Sequence, residues 1–509
     1  MKSQNLVVAP KSAQNSIWRK IWTTAALLVS LAVIGSIAGP VWDPSPLTQQ
    51  IEPETADTAI GGLTAGIERS LVNSPGAFEI SEQVVSIDLG EVVVEAMVRI
   101  PLGVSGPVPG LLFVHGAGTG LYVDAFIEQA PVIASMGVVT LVPNKRLDTY
   151  STFHRDYEKM ALDYLASFRY LQSLPEVDPT RVGVYSESEG TWIAPVMGVL
   201  EPDIAFNVLV SAPIVPPRLQ SAFAVDQYLR ETGVPRQVFR AIPRALGMSF
   251  PGTMLAYADF DVFPWLRLLR QPILMVYGTA DISMPIVQGV TEVIDATETG
   301  GGAPVTVRYY ENANHGIAVN GRVAEEFMRD VGHWIQGLPE TATAAPQIAG
   351  AEPTQVFMAA PFGNTRWWGN GEFVIGSVLM AAVLFIAAVL IWVAHFRTLR
   401  AAIWGSLFRL VIAVVATTGV LVFYLIQVAQ LALNYRQNDL LVQGGWILVR
   451  LAGLLTAFAL ATVIERIRVS ANGILFETLP EVVIFWMVLI GTTILLLWLA
   501  YWGVFQLGI

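Results

Sequence analysis

The stretch RVGVYSESEGTWIAP, residues 181–195, decides the fold of this chain. RVGVY predicts a buried strand, and the apolar run TWIAPVMGVL that follows predicts a helix. A sharp strand-to-helix turn can present a serine oxygen, provided that the residues two before and two after the serine are small. Ser188 meets this condition through Ser186 and Gly190, whereas Ser186 would need Val184 from the strand interior. We therefore predict Ser188 as a nucleophile.

Two later loops supply the partners that such a serine needs. A nucleophilic serine requires a general base, and the base requires a carboxylate that orients it. Asp281 follows the predicted strand 272–278, and His315 follows the predicted strand 304–310. The order Ser, Asp, His along the chain is the one found in the fold that presents its serine on this kind of strand-to-helix turn. The sequence thus predicts a triad of Ser188, Asp281 and His315.

Other acidic and histidine residues fit these roles less well. Asp259 and Asp261 lie in a segment without a preceding strand. The remaining histidines precede a glycine-rich loop, belong to helices or their edges, or lie at a membrane end: His115, His154, His333 and His395.

A fourth element precedes the serine. The segment HGAG, residues 115–118, follows a predicted strand, as a loop that binds an oxyanion should. Backbone N–H groups of Gly116 or Ala117, together with that of Glu189, are the predicted donors. The side chain of Glu189 could tune the pocket, pair with a cap arginine or have a structural role in the turn. Lys145 and Arg146 either hold an anionic substrate or form structural ion pairs.

The residues around this turn predict an α/β domain at 76–340. Short strands at 91–100, 110–116, 137–143, 181–185 and 206–211 join those named above, and a helix is predicted at 155–173. Such alternation predicts a mostly parallel sheet covered by helices on both faces. Residues 213–270 interrupt it and are predicted to form a helical cap over the strand ends. Proline- and threonine-rich segments at 40–75 and 341–372 are predicted linkers.

The segment DPTRVGVYSESEGTWIAP resembles the DP-x-R-[IV]-G…G-x-S-E-G-G-x-x-A-P region of the α/β-hydrolase superfamily, in its esterase and dienelactone-hydrolase-like branches. The resemblance covers residues 80–340. It implies the same Ser188–Asp281–His315 triad and hydrolysis of carboxylic esters or related acyl bonds. Two positions depart from the pattern: Ser186 replaces the first glycine, and Thr191 replaces the second glycine after the serine.

Composition places much of the remaining chain in a membrane. Only 14% of the 509 residues are charged and 53% are hydrophobic, whereas a soluble domain carries about a quarter charged residues. Five apolar runs are long enough to span a bilayer, at 21–39, 373–396, 410–432, 444–464 and 481–503. Four of them form a C-terminal region that resembles no recognised family. Arg450, inside the fourth run, is either a snorkelling side chain or a functional charge.

Basic residues predict the orientation in the membrane. Lys2, Lys11, Arg19 and Lys20 precede the first run, which places the N-terminus in the cytoplasm and the α/β domain outside it. Among the connections between the four C-terminal runs, the first holds Arg397, Arg400 and Arg409, the third holds Arg466 and Arg468, and the second holds only Arg436. The first and third connections are therefore predicted to lie in the cytoplasm. The first run could also be a cleaved signal peptide; a retained anchor is the interpretation its length favours.

These features predict a membrane-anchored serine hydrolase acting on a small-molecule or lipid acyl substrate. One alternative keeps the triad but changes the acceptor, giving an acyltransferase or a serine peptidase of the cell envelope. Another is a transporter or sensor with a non-catalytic hydrolase-like domain. The net charge of −11 argues against nucleic-acid binding. The lack of cysteine and of histidine metal motifs predicts no metal or other cofactor; the sequence identifies no protein partner.

Overall fold

The structure is a computed structural model of the chain. It describes residues 11–40, 44–61, 72–118, 120–232, 243–248, 255–302, 304–360, 366–395, 397, 399, 403–434, 436–470 and 476–506. Lys2 and Arg400, used above for orientation, lie outside these residues, as do parts of both predicted linkers and of the cap. The chain forms two compact units. The sheet unit is Pro44–Ala224 with Pro251–Pro361, and the membrane unit is Met1–Asp43, Val225–Phe250 and Phe362–Ile509.

The sheet unit contains a nine-stranded sheet in the order β1-β2-β4-β3-β5-β6-β7-β8-β11. β2 runs antiparallel to its neighbours β1 and β4, and the other pairs are parallel. A two-stranded hairpin, β9–β10, stands apart from it. The strands are β1 (Ile80–Asp88), β2 (Val93–Pro101), β3 (Val108–Val114), β4 (Val139–Pro143), β5 (Val177–Glu187), β6 (Asn207–Val210), β7 (Ile273–Gly278), β8 (Val305–Tyr310), β9 (Ala318–Val319), β10 (Arg322–Val323) and β11 (Ile348–Gly350).

Helices cover both faces of this sheet because successive strand residues point to opposite sides. On β6, Leu209 packs in the core beside one set of helices, whereas Val208 and Val210 pack in the core on the other face. The predicted mostly parallel α/β fold is confirmed. After α1 (Lys11–Ala38) of the membrane unit, the helices are α2 (Gln129–Ala134), α3 (Tyr157–Gln172), α4 (Gly190–Leu200), α5 (Pro217–Glu231), α6 (Phe263–Leu268), α7 (Gln288–Gly300) and α8 (Glu325–Gln336).

Segments predicted as linkers in part belong to the sheet unit. The Leu47 N–H donates to Val356 O at 2.8 Å, and the Glu54 N–H donates to Ile348 O at 2.9 Å. β11 itself lies within the predicted second linker and pairs with β8. These chain segments satisfy one another's backbone groups, so the described parts are ordered edges of the domain rather than free tethers.

The predicted cap, 213–270, is divided between the units. Residues 213–224 and 251–270 lie in the sheet unit, and Val225–Phe250 lies in the membrane unit. Within the membrane unit, Val225, Tyr228 and Leu229 of α5 are buried in the apolar core that the long helices share. That the segment covers the strand ends stays a prediction.

The membrane unit contains five helices, among the described residues, that are long and apolar enough to span a bilayer. The five predicted spans are therefore confirmed, and the chain is a membrane protein. Besides α1, they are α9 (Gly371–His395), α10 (Trp404–Leu433), α11 (Gly445–Ser470) and α12 (Leu479–Tyr501). Arg450, in the second turn of α11, donates from Nη2 to Gln506 O at 2.8 Å. Its partner is thus a backbone carbonyl near the C-terminal end of the described chain.

Candidate active site

Ser188 lies in the turn between β5 and α4. Its φ of 53° is left-handed, a conformation that costs energy in a residue with a side chain and that recurs at functional sites. The backbone is closely packed two residues after Ser188, because a Cβ on Gly190 would lie 2.7 Å from Val114 O. Ser186, in contrast, is fully buried, and its Oγ donates to Val208 O at 3.2 Å. Of the two serines, only Ser188 is partly open to solvent.

Asp281 and His315 meet in the loops that follow β7 and β8. His315 Nδ1 lies 2.8 Å from Asp281 Oδ2. The other carboxylate oxygen, Oδ1, accepts hydrogen bonds from Ser283 N at 3.0 Å and Ser283 Oγ at 2.7 Å. The Asp281 side chain is fully buried, and that of His315 is 19% exposed. Because the carboxylate can only accept, Nδ1 carries the proton and Nε2 presents its lone pair.

Hydrogen bonds at the end of β6 bring this pair to the same sheet edge as Ser188. The Ser188 N–H donates to Val210 O at 3.0 Å, and Ser211, which follows Val210, donates from Oγ to His315 O at 2.7 Å. Gly278 allows the two partner loops to approach closely, since a Cβ there would lie 2.1 Å from Ala313 O. The predicted triad residues thus occupy neighbouring loops at the carboxyl ends of the strands.

The electrostatic surroundings of His315 favour its cation. Burial lowers the pKa of His315, but the carboxylates of Asp281 and Glu187 raise it, and the net pKa lies above the usual value. Burial raises the pKa of Glu187, against an opposing effect of His315. Sequence reasoning gave Glu187 no role. Its acidic side chain one position before Ser188 was the available signal.

The loop HGAG approaches the serine turn from β3. A Cβ on Gly116 would lie 3.2 Å from the Cβ of Ser188, so the two backbones are in close contact. His115 anchors the start of this loop: its Nε2–H donates to Pro143 O at 2.6 Å. Burial lowers the pKa of His115 to about 4, which leaves its ring neutral at physiological pH.

Glu189 follows Ser188, and its carboxylate is buried among donors. Lys145 Nζ and Tyr150 OH donate to Oε2 at 3.0 and 2.8 Å. Arg155 Nη1 and Tyr157 OH donate to Oε1, the tyrosine at 3.3 Å. The arginine partner of Glu189 therefore comes from the loop before α3 and not from the cap.

Two roles were predicted for Lys145, holding an anionic substrate or forming a structural ion pair, and its contact with Glu189 is such an ion pair. Arg146 likewise pairs with acidic residues, lying 2.7 Å from Glu91 and 2.8 Å from Asp148. Sequence reasoning missed Arg155 and the tyrosines around Glu189.

The rival acids have other contacts. Asp259 pairs with Arg218, and Asp261 Oδ1 accepts from Phe263 N at 3.0 Å. Within the described part of the chain, no three His, Asp or Glu side chains are grouped as a metal site would need.

Comparisons with known proteins found one matching family model and similar solved structures. Residues 160–320 match the family model described as BAAT / Acyl-CoA thioester hydrolase C terminal, a segment that includes all three triad candidates. A dienelactone hydrolase from Anabaena variabilis is 17% identical, with 50% of this chain and 96% of that chain covered and a TM-score of 0.35. An esterase from Pyrococcus furiosus is 18% identical, with 57% and 98% covered and a TM-score of 0.38. No curated protein matches the chain in sequence.

The sheet unit has an α/β-hydrolase fold. Its mostly parallel sheet carries the serine turn between a central strand and the following helix, as this fold requires. The resemblance inferred from the serine segment is confirmed at this level.

Proposed function

We propose that the chain is a membrane-anchored serine hydrolase that cleaves carboxylic ester or related acyl bonds through Ser188, His315 and Asp281. The observation that carries the proposal is the 2.8 Å pairing of His315 Nδ1 with Asp281 Oδ2 in the loop beside the left-handed Ser188. This pairing places the proton of the neutral ring on Nδ1, so that Nε2 carries the lone pair that accepts a proton. The matched family is described by thioester hydrolysis, so thioesters belong among the candidate substrates.

The acylation step uses each group in one role. Ser188 Oγ attacks the acyl carbonyl carbon, and His315 Nε2 takes the hydroxyl proton. Asp281 stabilises the imidazolium that forms. Backbone N–H groups of Ala117 or Gly116, with that of Glu189, bind the oxyanion of the tetrahedral intermediate. The carbon–heteroatom bond then breaks, and the leaving group receives the proton from His315.

Deacylation repeats these roles with water as the nucleophile. His315 removes a proton from the water as the water oxygen attacks the acyl-enzyme carbonyl. Collapse of the second tetrahedral intermediate releases the acid and returns the proton to Ser188 Oγ. An added alcohol that competes with water reveals acyl transfer by yielding a new ester.

Covalent labelling with a fluorophosphonate probe tests the nucleophile. The full-length protein should be labelled, and Ser188→Ala should abolish labelling. Ser186→Ala is the matched control: this serine is buried two residues away, and its loss should leave labelling intact. Labelling that survives in Ser188→Ala, or disappears in a folded Ser186→Ala protein, contradicts the assignment.

We also propose that the sheet unit lies outside the cytoplasm. Arg19 and Lys20 precede the apolar part of α1, while Arg466 and Arg468 lie at the end of α11. Both sets favour the cytoplasmic side. With five spans, the C-terminus then lies outside. Alkaline phosphatase fused after residue 509 should be active, and the same reporter inserted at 471–475 should not; the reverse pattern contradicts this orientation.

A further inference from the structure

The buried cluster around Glu189 extends to the backbone of the HGAG loop. Besides its bond to Glu189, Lys145 Nζ donates to Gly116 O at 2.8 Å. One ammonium group therefore joins the residue after the nucleophile to the loop that faces it. Both contacts are inaccessible to solvent, since the side chains of Lys145 and Glu189 are 1% and 0% exposed.

This geometry fixes the direction of a peptide group. Gly116 C=O and Ala117 N–H belong to the same planar trans peptide, so they point in opposite directions. When Lys145 holds the carbonyl, the Ala117 N–H must point away from Lys145. Among the described residues, neither Ala117 N–H nor Glu189 N–H donates a hydrogen bond within the protein. Both remain available to an oxyanion.

The other described hydrogen bonds of the loop lie at its start, where His115 is anchored. Glycines flank Ala117 on both sides, and Gly118 has a φ of 81°. Rotation of the Gly116–Ala117 peptide changes ψ of Gly116 and φ of Ala117; glycine resists little on its side, so the restricted φ of the alanine and the bond from Lys145 are what oppose it. A donor that turns away from the oxyanion is lost to catalysis as fully as one that is removed.

We propose that the Lys145–Glu189 pair is a positioning device for the oxyanion hole, and that Ala117 rather than Gly116 supplies its first donor. The inference rests on the proposed hydrolase function. Lys145 acts through the Gly116 carbonyl and touches no substrate, because its ammonium group is buried and engaged by Glu189. Holding an anionic substrate, the other role considered for Lys145, is incompatible with this burial.

The charges of the cluster are consistent with a fixed rather than a titrating pair. Burial would raise the pKa of Glu189, but the cations of Lys145 and Arg155 hold it below the ordinary value. Burial lowers the pKa of Lys145, and Glu189 opposes that effect. Removing Glu189 leaves the buried Lys145 ammonium without its acidic partner, which is destabilising, whereas removing Lys145 leaves Glu189 paired with Arg155.

Lys145→Met tests the inference. Loss of one oxyanion donor typically lowers kcat about 100- to 1000-fold; a donor that is freed to rotate should cost about 10- to 100-fold. KM for the same ester should change less than about twofold, and the inhibition constant of a trifluoromethyl ketone should rise in parallel with the loss in kcat. Endpoint titration with fluorophosphonate gives the concentration of competent sites, so that kcat refers to folded protein only.

Two further variants complete the test. Arg146→Met is the matched control, since it removes the ion pairs of the adjacent residue but no contact with the loop; its kcat should stay within about twofold. Lys145→Arg keeps a cation that can donate to both partners and should recover most of the activity. If Lys145→Met does not fold, the double variant Lys145→Met/Glu189→Gln removes both charges of the pair while the glutamine oxygen can still accept from Arg155, and it carries the same expectation.

The outcomes separate this inference from the function on which it rests. A wild-type protein that is neither labelled nor active overturns both. An active wild type with unchanged kcat in a folded Lys145 variant overturns the positioning role and leaves the hydrolase proposal standing. A lower melting temperature with normal kcat per competent site assigns the cluster to stability alone and also overturns the inference.

Discussion

Replacing Asp281 with asparagine should nearly abolish hydrolysis without altering the shape of the site. Asparagine has the same size, and its Oδ1 can keep both hydrogen bonds from Ser283. Its amide nitrogen, however, takes the place of Oδ2, 2.8 Å from His315 Nδ1. Two donors cannot face each other there, so the imidazole proton moves to Nε2. The lone pair that should take the Ser188 proton is then lost. Such a tautomer change costs about 10⁴-fold in kcat, or about 5 kcal/mol.

Hydrolysis of p-nitrophenyl esters by purified protein in detergent measures the effect. Asp259→Asn and Asp261→Asn are the matched controls, because these aspartates belong to the same unit but contact Arg218 and the Phe263 N–H instead. Both should keep kcat within about twofold. An Asp281→Asn enzyme within tenfold of wild type, at equal site concentration, would refute the role given to this carboxylate.

Two further predictions concern pH and packing. The pKa of His315 lies above its usual value of about 6.5, and its protonated ring cannot act as a base. Activity should therefore fall as pH decreases through a midpoint above about 6.5 in kcat/KM. Glu187→Gln removes one of the two carboxylates that raise this pKa, the other being Asp281, so the midpoint should move to lower pH; an unmoved midpoint contradicts that coupling. Gly183→Ala would place a Cβ 2.3 Å from the Phe206 ring. Overpacking of this kind should reduce the free energy of unfolding by about 2 to 3 kcal/mol in thermal or denaturant melts.

The sequence predicts the central strands well and the edges of the sheet poorly. β6 and β7 are buried on both faces, so their apolar runs stand out against the polar loops that bound them. β1 is largely exposed, with only Ile87 buried, and β11 has only three residues. Such segments become strands because a neighbour pairs with them, which periodicity does not report. The same limit applies to α5, because no local pattern says which core will bury Leu229.

The residues of the candidate site differ in the same way: those that follow strands can be placed from the sequence, and those in irregular segments cannot. The placement of Ser188, Asp281 and His315 at one edge of the sheet could be predicted because each follows its own strand, and parallel strands bring their carboxyl ends together. Arg155 and Tyr150 could not, because they reach Glu189 from an irregular segment whose path depends on tertiary packing. The position of Lys145 shortly after β4 can be predicted from the sequence. Its contact with Gly116 O depends on how the loops after β3 and β4 pack against each other.

The two small positions that flank Ser188 are not equivalent, and this difference can be tested. A Cβ on Gly190 would meet backbone oxygens, Val114 O at 2.7 Å and His115 O at 3.1 Å, so Gly190→Ala must push back the end of β3 and the HGAG loop. Alanine is the better helix former by about 1 kcal/mol, yet the clash should outweigh that gain and lower kcat about 10- to 100-fold by displacing the oxyanion donors. Ser186 already carries a Cβ in a buried site, so Ser186→Gly should lose its bond to Val208 O and make the strand more flexible, together about 1 to 2 kcal/mol of stability, and keep kcat within a few-fold. Equal kcat values in the two variants would mean that strand and helix do not approach closely at this turn, and that Gly190 is as replaceable as Ser186.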